Sequence, residues 1–142
     1  MKPAKEKTTR AFWFSTPSGK LGYGDGREVR KGVTHRVPGN RALELCRYGL
    51  HASTRVSHAL SYAGDSPRLW EVELLGPCVE GDDKLCAYGR RYVRGLSMGD
   101  TSSLLLGHAR WCARQVSHLW EPPQVVVDFL ETGDPEMKNT VR

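Results

Sequence analysis

His51 and Tyr62 are the residues whose types and spacing most suggest chemistry. They sit in Cys46-Arg47-Tyr48-Gly49-Leu50-His51-Ala52-Ser53, followed by Ala59-Leu60-Ser61-Tyr62-Ala63. An imidazole leaving an apolar strand and a phenol on the following helix can converge on one cleft. There they would stack on a flat ring or exchange a proton with a substrate. A structural use fits the same residues: His51 bonded to a backbone carbonyl, Tyr62 packed with its hydroxyl at the surface. A second group is Lys84, Arg90, Arg91 and Arg94, interleaved with Tyr88 and Tyr92. Cations that neutralise phosphate beside rings that stack on bases suit nucleic acid, and a plain basic surface strand gives the same pattern. No RNP motif, finger or basic zipper accompanies them.

Other candidates carry less. Glu71 and Glu73 share a strand face; paired carboxylates do acid–base work only where their environments differ, and such alternation usually marks the solvated face. Cys46, Cys78, Cys86 and Cys112 contain no C-x-x-C pair, so they read as buried reduced thiols and no metal site is expected, Cys112 with His118 being the one option. His108 and His118, ten residues apart, lack metal-ligand spacing, and Trp111 and Trp120 beside them read as core packing. Gly19, Gly22, Gly24 and Gly26 are not a phosphate loop, because Leu21 follows Gly19-Lys20 and no helix pattern opens there. They read as a hairpin. There is no Gly-x-Ser-x-Gly elbow.

The elements that must position these residues follow from periodicity. Ala11-Phe12-Trp13-Phe14 is a short aromatic strand, and Val29 to Val37 holds another before Pro38-Gly39-Asn40. Ser53 or Thr54 can cap a helix over 54–63 with Val56, Ala59, Leu60 and Ala63 on one face. Leu69 to Leu75 alternates with period two, placing Trp70, Val72 and Leu74 on the buried side. Lys84 to Ala87 is a further strand. Asp100 caps a helix from about 101 to 120 with a stripe of Leu105, Ala109, Cys112, Val116 and Leu119, ended by Pro122-Pro123. A third helix carries Val126, Phe129 and Leu130, and Asp134-Pro135-Glu136 starts one last short helix. Strands first, one inserted helix and a helical C-terminal third argue an α+β fold with a small, mostly antiparallel sheet. The expected core is Trp70, Val72, Leu74, Leu105, Cys112 and Val116, with the sheet packed on the helices near 54–63 and 101–120. A single domain over 11–142 is expected behind a basic flexible arm at 1–10.

The 142 residues carry a net charge of +5, distributed unevenly. Through residue 60 the net is +8 and the remainder nets −3. A cationic half marks a surface for phosphates, nucleic acid or an acidic protein, or else only a solvated face. No run approaches a membrane span, and the basic start has no apolar segment behind it, so the expected location is cytoplasmic with no membrane partner.

Two resemblances add to this. From about Phe12 to Gly133 the chain resembles a family of uncharacterised bacterial and phage-associated proteins. The matching elements are Gly49-Leu50-His51-Ala52, Ala59 to Ala63, Trp70 to Leu74, Asp83-Lys84-Leu85, Ala109 to Ala113, His118-Leu119-Trp120 and Leu130 to Asp134. That implies a phage or prophage context and no established activity. Gly49 to Ala52 with Ser57 and Tyr62 also looks like the nicotinamide-pocket segment of ADP-ribosyltransferases, which would make His51 and Tyr62 a ring-stacking pair. That family holds the cofactor ribose with a His or Arg on its first strand, where this chain has Phe12-Trp13-Phe14. It also uses a late catalytic Glu; Glu131 is available, in an expected helix. The leading expectation is a non-catalytic accessory protein encoded by a phage or prophage. It would act as an inhibitor-type partner of host nucleic-acid machinery or a defence complex, through Lys84, Arg90, Arg91, Arg94, Tyr88 and Tyr92 and without a cofactor. The partner would be a nucleoprotein complex, an acidic protein or nucleic acid. The alternative is an ADP-ribosyltransferase-like or nucleotide-binding enzyme centred on His51 and Tyr62, with NAD as cofactor.

Overall fold

A computed structural model of the protein describes residues 3–134, 136 and 137. The expected α+β fold is present: the described residues form seven strands in two antiparallel sheets, three α-helices and a short 3-10 helix (Ser117–Leu119), with the helical content towards the C-terminus. Strands β1 (Thr8–Ser15), β4 (Arg68–Leu75), β7 (Gly89–Gly95) and β2 (Thr34–Arg36) form the larger sheet in that order. The smaller sheet runs β3 (Leu50–Ala52), β6 (Leu85–Ala87), β5 (Val79–Glu80). Helices are α1 (Val56–Leu60), α2 (Met98–Val116) and α3 (Gln124–Thr132). The chain divides into two compact units, between Thr101 and Ser102.

In the first unit β4 is central, and its alternation decides the core. Trp70, Val72 and Leu74 are buried, while Glu71 and Glu73 lie on the opposite face. Ala11, Val29, Ala52, Leu85, Ala87 and Tyr92 complete this cluster. A register shift between Glu71 and Val72 lets β7 bend across β4. At its end Gly95 lies under Trp70, where an added Cβ would come within 2.8 Å of the indole, so only glycine fits there. The two sheets are joined at Phe12 and Ser53, whose backbones exchange hydrogen bonds of 2.7 and 2.9 Å.

Several expectations are corrected. Thr8, Thr9 and Arg10 are not arm but the first rungs of β1, opposite Leu75, Leu74 and Glu73. Glu6 is tied to Arg36 at 3.0 Å, and the Lys7 carbonyl accepts the Gly76 N–H at 2.8 Å. A polar sequence is held there by the backbone ladder and an ion pair, which burial patterns do not reveal. Helix α1 is shorter than expected and has no side-chain cap: Arg55, not Ser53 or Thr54, holds the cap position, and the Ser53 backbone is bridged to Phe12. Helix α2 is capped by Ser97, whose Oγ accepts the Asp100 N–H at 3.0 Å. Cys112 and Val116 are exposed and Leu105 is half-buried, so the expected stripe of α2 is not core. Within the second unit, Arg110 donates to the carbonyls of Leu130 and Glu131 at 2.9 and 2.8 Å, satisfying the last turn of α3. Gly133, at φ +67°, ends that helix. Asp134-Pro135-Glu136 falls partly outside the described residues.

Candidate functional site

Within the first unit a cleft of about 800 Å³ opens between β1 and β3. Phe12–Phe14 and Leu50–Ala52 line it, with Tyr23, Cys46, Tyr48, Tyr62, Lys84 and Arg90 around them. Both residues singled out as a catalytic or ring-stacking pair, His51 and Tyr62, therefore face this one cavity.

His51 is half-buried on β3, and its Nε2 accepts the Cys46 N–H at 2.9 Å. Burial, then the charges of Lys84 and Arg90, holds its pKa below the usual histidine value, so the ring is a neutral acceptor. The imidazole thus pins the turn at Cys46, whose φ is +65°. Tyr62 is 53% exposed; its hydroxyl donates to Asp83 at 2.5 Å, and the Lys84 ammonium stands 4.5 Å from its ring centre. The hydrogen bond to Asp83 raises the pKa of Tyr62. Lys84 also touches the Cys46 thiol, a contact that raises the lysine pKa.

Arg90 is the most unusual residue of the cleft. It is 3% exposed, yet no carboxylate among the described residues bonds it. Its Nε and Nη2 donate to the Tyr92 hydroxyl at 3.1 and 2.9 Å, and Nη1 donates to the His51 carbonyl at 2.5 Å. The guanidinium lies 3.9 Å over the Trp13 ring. Burial lowers its pKa, but a guanidinium stays charged in a protein. Tyr92 has no exposure, and its hydroxyl donates a hydrogen bond to His35 Nδ1, 2.9 Å away. The tautomer follows from the far side of the ring: Nε2 faces the Glu28 carbonyl at 2.9 Å and must be the donor, leaving Nδ1 to accept. Burial and the nearby Arg27 charge hold the His35 pKa below its usual value.

Those two depressed histidines predict an acid-sensitive fold. Above the ordinary value of 6.5 both are neutral, folded or unfolded, and stability is at its full level. Below it the unfolded chain takes up protons that the folded chain refuses, so stability falls until the folded histidines titrate. Urea unfolding across about pH 8 to 5 should show a plateau and then a decline, and His35→Gln should shrink the decline.

The remaining residues of the expected docking surface do not gather. Arg90 and Tyr92 point into the interior. Arg91 pairs with Glu73, its Nε 2.9 Å from Oε2, and Arg94 pairs with Glu71 at 3.2 Å, on the opposite face of the sheet. Arg10 also reaches Glu71, at 2.7 Å. Glu71 and Glu73 thus tie β1, β4 and β7 together rather than act as an acid–base pair. Tyr88 donates to the Arg41 carbonyl at 2.8 Å. A strand sends neighbours to opposite faces, and reading 88–94 as one patch overlooked that. The thiols also differ from expectation: Cys86 is buried and Cys78 half-buried, while Cys46 and Cys112 are exposed. Missed altogether were Trp13 as the face under Arg90, Asp83 and Cys46 beside Lys84, and His35. The one available signal was an arginine at the inward register of β7. No protein-family model, curated protein or solved structure matches this chain.

Proposed function

We propose that the protein binds a flat, anionic small molecule of the nucleotide class in the cleft between β1 and β3. The observation that carries this reading is Arg90, a buried cation with no carboxylate partner among the described residues, lining that cleft. Burying an uncompensated charge costs several kcal/mol, a cost that an anionic ligand offsets by supplying the missing charge. Three of the five guanidinium N–H groups are engaged, which leaves a donor on each terminal nitrogen. Lys84 and Arg47 add positive charge to the lining. Its carboxylate, Asp25, is held by Arg27 at 2.8 and 2.9 Å. Tyr23, Tyr48 and Tyr62 offer rings for a base, and the volume falls in the usual range for small-molecule sites.

The cation of the first strand, Arg10, is paired with Glu71, so at the cleft it is β7 that supplies the positive charge, as Arg90 against Trp13 of β1. NAD lies within the ligand class, with His51 and Tyr62 at its ring. His51 already uses Nε2 on the Cys46 amide, which favours a binding or positioning role over proton exchange. The cleft takes precedence over a docking surface on Lys84, Arg90, Arg91 and Arg94. Two of those cations line the cleft, and the other two are ion-paired elsewhere.

Calorimetric titration with ATP, NAD, ADP-ribose and adenosine tests the proposal. Binding of the charged compounds is expected, with adenosine weaker by about tenfold or more, since charge-assisted hydrogen bonds to phosphate contribute about 1.5–3 kcal/mol. Lys84→Ala should weaken binding about five- to tenfold with an unchanged melting temperature, in line with a partly exposed charge contact. A folded protein that binds none of them would sink the reading.

A further inference from the structure

The rim of the cleft holds a thiol and an amine in contact, and each is fixed from its own side. Cys46 is exposed, and its left-handed backbone is anchored by the 2.9 Å bond from its N–H to His51. Lys84 follows Asp83, which accepts the Tyr62 hydroxyl, and its ammonium is braced over the Tyr62 ring at 4.5 Å. The Lys84 Nζ touches the Cys46 Sγ, and both side chains line the open cleft. A salt bridge normally joins lysine to a carboxylate. Here the lysine's neighbours are a sulfur and a phenol ring, and the sulfur is accessible to small oxidants.

We propose that Cys46 and Lys84 are an oxidation-driven cross-linking site, in which a peroxide joins the two side chains through a sulfur–nitrogen bond. The Cys46 sulfur attacks one peroxide oxygen; the O–O bond breaks, sulfur loses two electrons, and sulfenic acid and water form. The Lys84 nitrogen, having released its extra proton to solvent, then attacks that sulfur. The S–OH bond breaks, and the hydroxide leaves as water with a proton taken from nitrogen. The sum is one thiol, one amine and one peroxide giving one S–N link and two waters. A dithiol returns both residues by taking up the oxidising equivalents. Because the thiol contact keeps Lys84 protonated, linking should quicken as pH rises.

The link also removes the Lys84 charge and ties the residue to the turn at Cys46. It would therefore close the anion site to its ligand, an effect that rests on the nucleotide reading; the link itself does not.

The test treats the whole protein with hydrogen peroxide and follows intact mass and digested peptides. The expected result is a loss of two hydrogens and a peptide joining the segments of Cys46 and Lys84, reversed by dithiothreitol. Cys46→Ser and Lys84→Arg should both abolish it, the second keeping the charge while removing the nucleophilic amine. Cys78, Cys86 and Cys112 serve as internal comparisons. Peroxide-treated protein that gains only whole oxygens overturns the proposal, as does a link that persists in Lys84→Arg, since that link is a disulfide. Titration with ATP before and after oxidation separates the two ideas: a link that forms without changing affinity leaves the cross-linking site standing and removes Lys84 from the ligand site.

Discussion

Arg90→Met is expected to lose nucleotide binding by about a hundredfold or more while costing the fold no more than about 2 kcal/mol. The two halves of this result have different causes. Truncating a buried, hydrogen-bonded charge at a binding site costs about 2–5 kcal/mol of affinity, and each 1.4 kcal/mol is tenfold. For the unliganded fold the terms oppose. Methionine keeps much of the volume and removes a guanidinium that is 3% exposed and bonded to no carboxylate among the described residues, which relieves a desolvation cost. Against that, three hydrogen bonds and the stacking over Trp13 are lost. Few groups are stranded by the loss. The Tyr92 hydroxyl still donates to His35, and the His51 carbonyl borders a cleft that water enters. Arg90→Lys is the companion: it keeps charge without the planar fork and should recover only part of the affinity. Denaturant unfolding and calorimetry on the same samples check both halves. A large stability loss in Arg90→Met would make Arg90 structural and remove the proposal's main support; unchanged binding would sink it directly.

How much of this was legible beforehand depends on which force sets each element. The β4 strand was readable because burial sets it: Trp70, Val72 and Leu74 recur every second residue and are buried. His51 and Tyr62 were readable as neighbours because only the end of β3 and one short helix, α1, lie between them, and local spacing limits where they can go. Arg90 was readable as a candidate binding cation of a surface patch, but not as a buried residue of this cleft. It meets Trp13, 77 positions away in the chain, only because β1 and β7 both pair with β4, and a sequence does not state strand order. The start of β1 was hidden for a related reason. Thr8 to Arg10 are polar, and the ladder with Leu75 to Glu73 recruits them through backbone groups that every residue has. On α2 the opposite occurred: a helical stripe was correctly seen, but Cys112 and Val116 on it are exposed. Periodicity shows which residues share a face, and burial needs a second surface as well.

Tyr92→Phe should be among the most destabilising conservative changes in the protein, by about 3–5 kcal/mol, although it removes one oxygen. The ring stays, and with it the contacts to Trp13 and Trp70, whose centres lie 5.7 and 5.6 Å away. No cavity of consequence forms, so the loss is polar. The hydroxyl receives two bonds from Arg90 and gives one to His35, all within residues no more than 4% exposed. Without it Arg90 retains only the His51 carbonyl, and His35 Nδ1 faces the interior with no donor. A stranded neutral group costs about 1–3 kcal/mol and a charged one more. Against a typical total of about 5–15 kcal/mol this is a large share. The double variant Arg90→Met/Tyr92→Phe gives the sharper result. With the cation gone, only His35 is left stranded, so the double variant should be more stable than Tyr92→Phe alone, by about 2 kcal/mol. Ordinary packing residues in contact do not rescue one another in this way. Urea unfolding of the wild type, both single variants and the double closes the cycle. Additive losses within about 0.5 kcal/mol would mean that Tyr92 does not hold the buried charge, and the Arg90 site would need a different support.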